Sequence, residues 1–159
     1  MHSTRKTAAQ LLIQYWVSLG YIVKPGASEE TLEAFEWKYR VQLPADMREY
    51  FALYGGFEGR GNWDDKFVTF WPIEIVERLS DMDGEFALPR DLGPSNSFFV
   101  FGDYLIQSHF YAIRLTMDPS ASCPVITHEG RYTFGNSFSV FVDTYLQDPD
   151  LVVSPPLID

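Results

Sequence analysis

Two adjacent carboxylates, Asp64 and Asp65, are the residues of this chain that most resemble a catalytic pair. Paired carboxylates can act as general acid and general base when both flank one scissile bond. Neighbours on an extended chain point to opposite faces, which is the wrong geometry for that chemistry. We therefore assign no catalytic residue and expect that the protein is not an enzyme.

The residues that commonly bind metals are scattered through the chain. The histidines are His2, His109 and His128, with no i, i+4 pair on a helix, and Cys123 is the single cysteine. Protein metal sites combine such ligands at short, regular spacings. We therefore predict no metal site and no cofactor, and we expect Cys123 to be an unreactive thiol.

Glycines at positions 55, 56, 59 and 61 loosely resemble a phosphate-binding loop. They follow a predicted helix instead of opening one, and no Lys-Ser or Lys-Thr pair comes after them. The end of a helix and a turn explain these glycines better.

The first third of the chain is predicted to be helical. Apolar residues at helical spacing predict a helix over about residues 5–19, and Ser28 is a suitable N-cap for a second helix. A third helix carries Met47 and Tyr50 on its buried side and ends at the glycine pair 55–56.

The pattern changes to strands after residue 66. Aromatic and β-branched runs predict strands at residues 67–70, 98–101, 110–115 and 125–128. A short helix is expected after Pro72, a long surface loop from Ser80 to Asn96, and a final helix capped by Asn136 or Ser137. The fold class is therefore α+β, a single domain with a mostly antiparallel sheet packed with N-terminal helices and a C-terminal helix.

We divide the chain into three parts. Residues 1–23 are expected to form an N-terminal helical extension, residues 24–150 the domain, and residues 151–159 a flexible tail containing Pro155 and Pro156.

The charge of the chain limits its partners. Formal net charge is -10 over 159 residues. Acidic and basic side chains cancel in residues 1–57, so the whole excess lies after them. A negative field repels phosphate backbones and favours a basic partner, so we expect no direct nucleic-acid binding. Negative charge can also serve solubility alone.

Two features of the sequence bear on the cellular compartment of the protein. No apolar run approaches the 18 or more residues that a membrane-spanning helix needs, so no membrane association is expected. The single cysteine excludes an internal disulfide, which favours a reducing compartment, and we expect the cytoplasm.

Four segments in order resemble the Smi1/Knr4 (SUKH) superfamily of small α+β proteins. Gly26-Ala27-Ser28-Glu29-Glu30 resembles the opening helix of that family, and Leu43-Pro44 its Leu-Pro signature. Residues 101–113 are similar to its central strands and residues 136–146 to its closing helix, so the resemblance covers about residues 24–147. Tyr54 stands where asparagine is frequent in the family.

This resemblance implies a binding function. Many bacterial members are immunity proteins that neutralise a secreted toxin, often a nuclease, whereas fungal members regulate cell-wall synthesis and signalling. We expect an immunity protein that occludes the active site of a basic toxin through an acidic surface. The alternative is a regulatory adaptor that binds an endogenous cellular protein.

The predicted partner-binding surface combines the segment before the first strand with the long loop. We expect its acidic members to be exposed, while Trp63 either forms the centre of the contact or packs on the sheet. The predicted residues are Glu58, Trp63, Asp64, Asp65, Asp81, Asp83, Glu85 and Asp91.

Overall fold

A computed structural model describes residues 5–59, 61–82, 88–118 and 120–157 of the chain. The helices in these ranges are α1 (Ala8–Ser18), α2 (Glu29–Tyr39), α3 (Ala45–Leu53), α4 (Phe138–Gln147) and α5 (Pro149–Val153). The strands are β1 (Val68–Phe70), β2 (Glu77–Arg78), β3 (Phe98–Tyr104), β4 (His109–Arg114), β5 (Val125–Thr127) and β6 (Tyr132–Thr133). This arrangement confirms the predicted α+β class. None of the described helices combines the length and the apolar character needed to cross a membrane.

Side-chain caps fix where three helices begin. Ser28 accepts a hydrogen bond from the Thr31 amide at the start of α2, which confirms the predicted cap. Ser137 does the same for the Val140 amide in α4, which decides between the two caps predicted there. Thr7 begins α1 with a capping box completed by Gln10.

All the strand pairs are antiparallel. The strands follow the order β1-β3-β4-β5-β6, and β2 pairs with β3 next to β1. Val68 of β1 lies opposite Tyr104 at the end of β3, whereas Arg78 of β2 lies opposite Phe99 near its start. Strand β3 is therefore the central strand against which both short strands are aligned.

Aromatic side chains fill the space between the sheet and the helices. Phe101 of β3 packs edge-on against Phe138 and Phe141 of α4. Trp16 of α1 contacts the rings of Tyr54 and Phe70 and is fully buried. Helix α1 is therefore packed into the same core as the rest, while the domain boundary at residues 23 and 24 stays a prediction from sequence.

The segment after Pro72 differs from its prediction. The turn Ile73–Ile75 is helical, but the chain then becomes extended because Glu77 and Arg78 pair with β3, and a second helical turn follows at Leu79–Asp81. Strands β2 and β6 have two residues each, too few to show a periodicity in the sequence.

The C-terminal segment is ordered further than the sequence indicated. Residues 151–153 belong to α5, and Val152 is fully buried. The hydroxyl of Tyr111 in β4 donates a hydrogen bond of 2.7 Å to the Val152 carbonyl. The flexible tail predicted from residue 151 was therefore wrong for these first residues, because β4 supplies a buried partner that a local reading of the sequence cannot see.

Gly55 lies at a close crossing of two backbones. A Cβ atom at this position would lie 2.0 Å from the Pro25 carbonyl oxygen. The Gly55 amide also donates to the Lys24 carbonyl at 2.9 Å. Close backbone approach, and not a phosphate, explains this glycine.

Replacing Tyr111 with phenylalanine should loosen the C-terminal segment. The Tyr111→Phe change leaves the buried Val152 carbonyl without its donor, so the free energy of unfolding should fall by about 1–2 kcal/mol. Urea unfolding measures this loss, with Tyr132→Phe on β6, two strands away from β4, as the control. A loss no greater than that of the control would show that the contact does not anchor this segment.

Candidate partner-binding surface

Asp64 is a buried structural carboxylate. Its side chain is 2% exposed, and it accepts a hydrogen bond from the Trp16 indole nitrogen at 3.2 Å. It also accepts from the amides of Lys66 and Val68, at 2.9 and 3.2 Å. The prediction of an exposed Asp64 was therefore wrong, because this carboxylate satisfies the free amides at the entrance to β1.

The environment of Asp64 alters its ionisation. Burial raises the pKa of this carboxyl to about 6, although its three N–H donors favour the charged form. Near neutral pH the group is still mostly ionised, and it places a negative charge beneath the segment that leads into β1.

Asp65 points outward, opposite to Asp64. It accepts a hydrogen bond of 2.7 Å from the Tyr15 hydroxyl. The Lys66 ammonium donates to the same hydroxyl, lies 3.7 Å from the Asp65 carboxylate, and rests over the Tyr15 and Tyr145 rings. The Asp65 carboxylate is thus exposed, and Tyr15 holds it in one orientation. The neighbouring Lys66 ammonium already interacts with Tyr15, Tyr145 and Asp65.

Glu58 and Trp63 lie on the loop that precedes this pair. Glu58 is exposed, and its backbone amide donates to the Ile22 carbonyl at 2.8 Å. The Trp63 ring is 43% exposed and packs against Gly61, where a Cβ would lie 2.4 Å from it. Trp63 therefore packs on its own loop on one side and faces solvent on the other, and its place at the centre of a partner contact stays a prediction.

Asp81 and Asp91, the acidic residues of the long loop that the structure describes, lie elsewhere. Asp81 follows β2 near the Phe99 end of β3, so it is displaced from the Asp64 segment by about 17 Å along that strand. Asp91 belongs to a turn whose neighbours, Pro89 and Leu92, contact Gly130 between β5 and β6. That position is three strands away from β1, or about 14 Å.

The eight predicted residues therefore do not form one surface. Asp83 and Glu85 lie outside the described residues, Asp64 is buried, and Asp81 and Asp91 lie apart. Glu58, Trp63 and Asp65 remain exposed in the segment before β1, and their role in partner binding stays a prediction.

Three exposed apolar residues beside this group were missed. Phe67 follows the carboxylate pair and is 55% exposed, and the Leu105 amide donates to its carbonyl at 2.9 Å. Leu105 and Ile106 are 47% and 82% exposed in the turn between β3 and β4. The sequence feature that could have revealed them is a hairpin turn with aliphatic residues at positions where glycine or asparagine is usual. We call Glu58, Trp63, Asp65, Phe67, Leu105 and Ile106 the apex.

The fold also brings two distant histidines together. The rings of His109 and His128 lie 4.0 Å apart, beside a cavity of about 280 Å³. Burial and the neighbouring His128 lower the pKa of His109 to about 4, and burial lowers the pKa of His128. Both rings are therefore neutral near pH 7. In the part of the chain that the structure describes, no cluster of three or more metal-binding side chains occurs.

A comparison with protein families finds a match that covers most of the chain. The model of the SMI1 / KNR4 family (SUKH-1) matches residues 26–144. This range begins after α1 and includes all six strands and most of α4. No curated protein matches the chain.

The stability of the fold should depend on Asp64 between pH 4 and 7. Its pKa is raised on folding, so its contribution is greatest below its unfolded pKa of about 3.9 and is lost as pH rises through 6. Relative to Asp64→Asn, the parent should lose about 2–3 kcal/mol of unfolding free energy over this range. Chemical denaturation at several pH values measures the difference.

Comparing the parent with Asp64→Asn cancels the contributions of the other titrating groups. One of these is His109, whose lowered pKa makes the free energy of unfolding fall as pH falls from 6.5 to 4, the opposite trend to that of Asp64. Asp65→Asn is the matched control and should follow the parent. If the parent and Asp64→Asn lose stability in parallel, Asp64 does not titrate in this range.

Proposed function

Because the chain belongs to the SMI1/KNR4 family (SUKH-1), we propose that it is an immunity protein that neutralises a basic, nuclease-like toxin. Membership of the family implies protein–protein interaction, and this match over residues 26–144 is the observation that carries the proposal. The protein acts by binding and not by catalysis.

Charge supports a basic partner. The chain carries 22 acidic and 12 basic side chains, and the acidic excess lies after residue 57. An enzyme that binds a phosphate backbone does so through lysine and arginine side chains, so its binding surface is basic. Opposite charges accelerate the encounter of two such proteins more than they strengthen the final contact.

The apex is the surface that we assign to this contact. Glu58 and Asp65 would pair with lysine and arginine side chains of the toxin, and Trp63 would be desolvated between them. Lys66 does not oppose this contact, because Tyr15 and Asp65 already engage its ammonium group. Asp64 takes no direct part, since its carboxylate is directed into the core.

Affinity capture from a lysate of the source cells is the first test. The tagged protein should retain a basic polypeptide at low salt and release it as salt rises, because exposed charges are screened. Mass spectrometry identifies what is retained. A partner whose retention is insensitive to salt and whose sequence is not basic would favour the regulatory adaptor instead.

Charge reversal at the apex should slow association with the captured partner. Glu58→Lys combined with Asp65→Lys should reduce the association rate constant about tenfold at low salt and flatten its salt dependence. Surface plasmon resonance at several salt concentrations measures both quantities. Asp64 is left unchanged, because a lysine there would bury an unpaired charge.

Glu33→Lys combined with Glu30→Lys on α2 gives the matched control. These carboxylates are also exposed, and the substitutions change the net charge by the same amount. An equal slowing in both double variants would show that overall charge, and not the apex, steers association.

A further inference from the structure

The turn between β3 and β4 exposes aliphatic side chains to solvent. We call residues 105–107 the hairpin tip. Ile106 is 82% exposed and Leu105 is half exposed, and the Leu105 amide donates to the carbonyl of Phe67, which is also exposed. Polar residues would be expected in such a turn, and exposed apolar patches commonly mark interaction sites.

The backbone of the tip is also in an unfavourable conformation. Leu105, Ile106 and Gln107 have φ angles of 48°, 53° and 64°, and Phe67 has a φ angle of 63°. This left-handed region favours glycine or asparagine, and a β-branched residue such as Ile106 is an outlier there. Strain of this kind persists where surrounding contacts impose it, and it is concentrated at functional sites.

Hydrogen bonds to residues at the end of β3 impose this backbone conformation on the tip. The Gln107 amide donates to the Asp103 carboxylate at 3.0 Å, and the Ser108 amide donates to the Tyr104 carbonyl at 2.8 Å. Asp103 is itself buried and accepts from the Trp71 indole nitrogen at 2.7 Å. The tip is therefore fixed by groups of the core before any partner binds.

We propose that the hairpin tip is the rigid apolar anchor of the interface, which inserts Ile106 and Leu105 into an apolar pocket rimmed by basic residues on a protein partner. The inference rests on the proposed function and adds residues that the acidic surface alone does not include. A preformed anchor loses little conformational entropy on binding, so more of the free energy of its burial contributes to affinity.

Charge indicates which kind of partner fits this surface. Asp65 lies two residues before Phe67, whose carbonyl accepts from the Leu105 amide of the tip, and the nearby cation Lys66 is held by Tyr15. A second copy of the chain would bring two molecules of charge -10 together at their acidic ends, which is unfavourable. A basic protein compensates the carboxylates around the anchor.

Site-specific photocrosslinking tests the location of the contact. Full-length variants carry p-benzoylphenylalanine at one position each: Ile106 in the tip, Glu58 in the acidic part of the apex, or Met117 as the control. Met117 is also an exposed apolar residue, but it follows β4 at the end of the sheet away from the tip. Each variant is irradiated in a lysate of the source cells, and mass spectrometry identifies the adducts.

The proposal expects a covalent adduct with the same basic protein at positions 106 and 58 and none at position 117. An adduct at 58 without one at 106 overturns the anchor but leaves the proposed function intact. An adduct between two copies of the chain at 106 overturns the basic partner. Equal labelling at 106 and 117, or no specific adduct at any position, contradicts both proposals.

Ile106→Asn tests whether the strain serves binding. Asparagine tolerates the left-handed region and is polar, so Tm should rise by about 2–4 °C, while affinity for the crosslinked partner should fall at least tenfold. Met117→Asn should leave affinity unchanged. A lower Tm together with unchanged affinity for Ile106→Asn would show that the tip is structural and not an anchor.

Discussion

The buried hydrogen bond between the Trp16 indole and the Asp64 carboxylate joins the parts of this fold on which the apex depends. Trp16 fixes α1 among the aromatic rings of the core, and Asp64 holds the amides at the entrance to β1. Asp64 faces inward, so its neighbour Asp65 faces outward, where Tyr15 of the same helix orients it. One buried carboxylate therefore determines which charge reaches the surface, and an uncompensated Asp64 would be costly in such an apolar setting.

The same constraint extends to the hairpin tip through the sheet. β1 begins four residues after Asp64, whose carboxylate accepts from the Val68 amide, and Val68 is aligned with Tyr104 at the end of β3. This register places the Phe67 carbonyl where the Leu105 amide can bind it. The acidic segment and the tip are thus two parts of one end of the molecule, each held by a buried aspartate, Asp64 beneath one and Asp103 beneath the other. In the binding mode that we propose, charge would accelerate encounter with the partner and the rigid apolar contact would slow its dissociation.

Sequence patterns were sufficient where the determinants are local. The caps at Ser28 and Ser137 and the strands around Phe98 and Phe110 follow from neighbouring residues, and so does the α+β class. The burial of Asp64 could not be predicted, because the Trp16 indole that covers it and donates to it lies 48 residues away in α1. The separation of Asp81 from Asp65 depends on the register of β2 along β3, which two residues cannot specify. The tip was missed because its conformation is imposed by Asp103 and not by its own residues.

The central claim is that a protein partner binds at the apex, and amide hydrogen exchange tests it most directly. Exchange is measured on the full-length protein alone and in complex with the partner purified by affinity capture. The account predicts that the partner slows exchange in residues 58–67 and 103–108, and that the amides of residues 77–82 and 90–97 exchange as in the free protein. Protection of the latter segments with no change at the apex would contradict it.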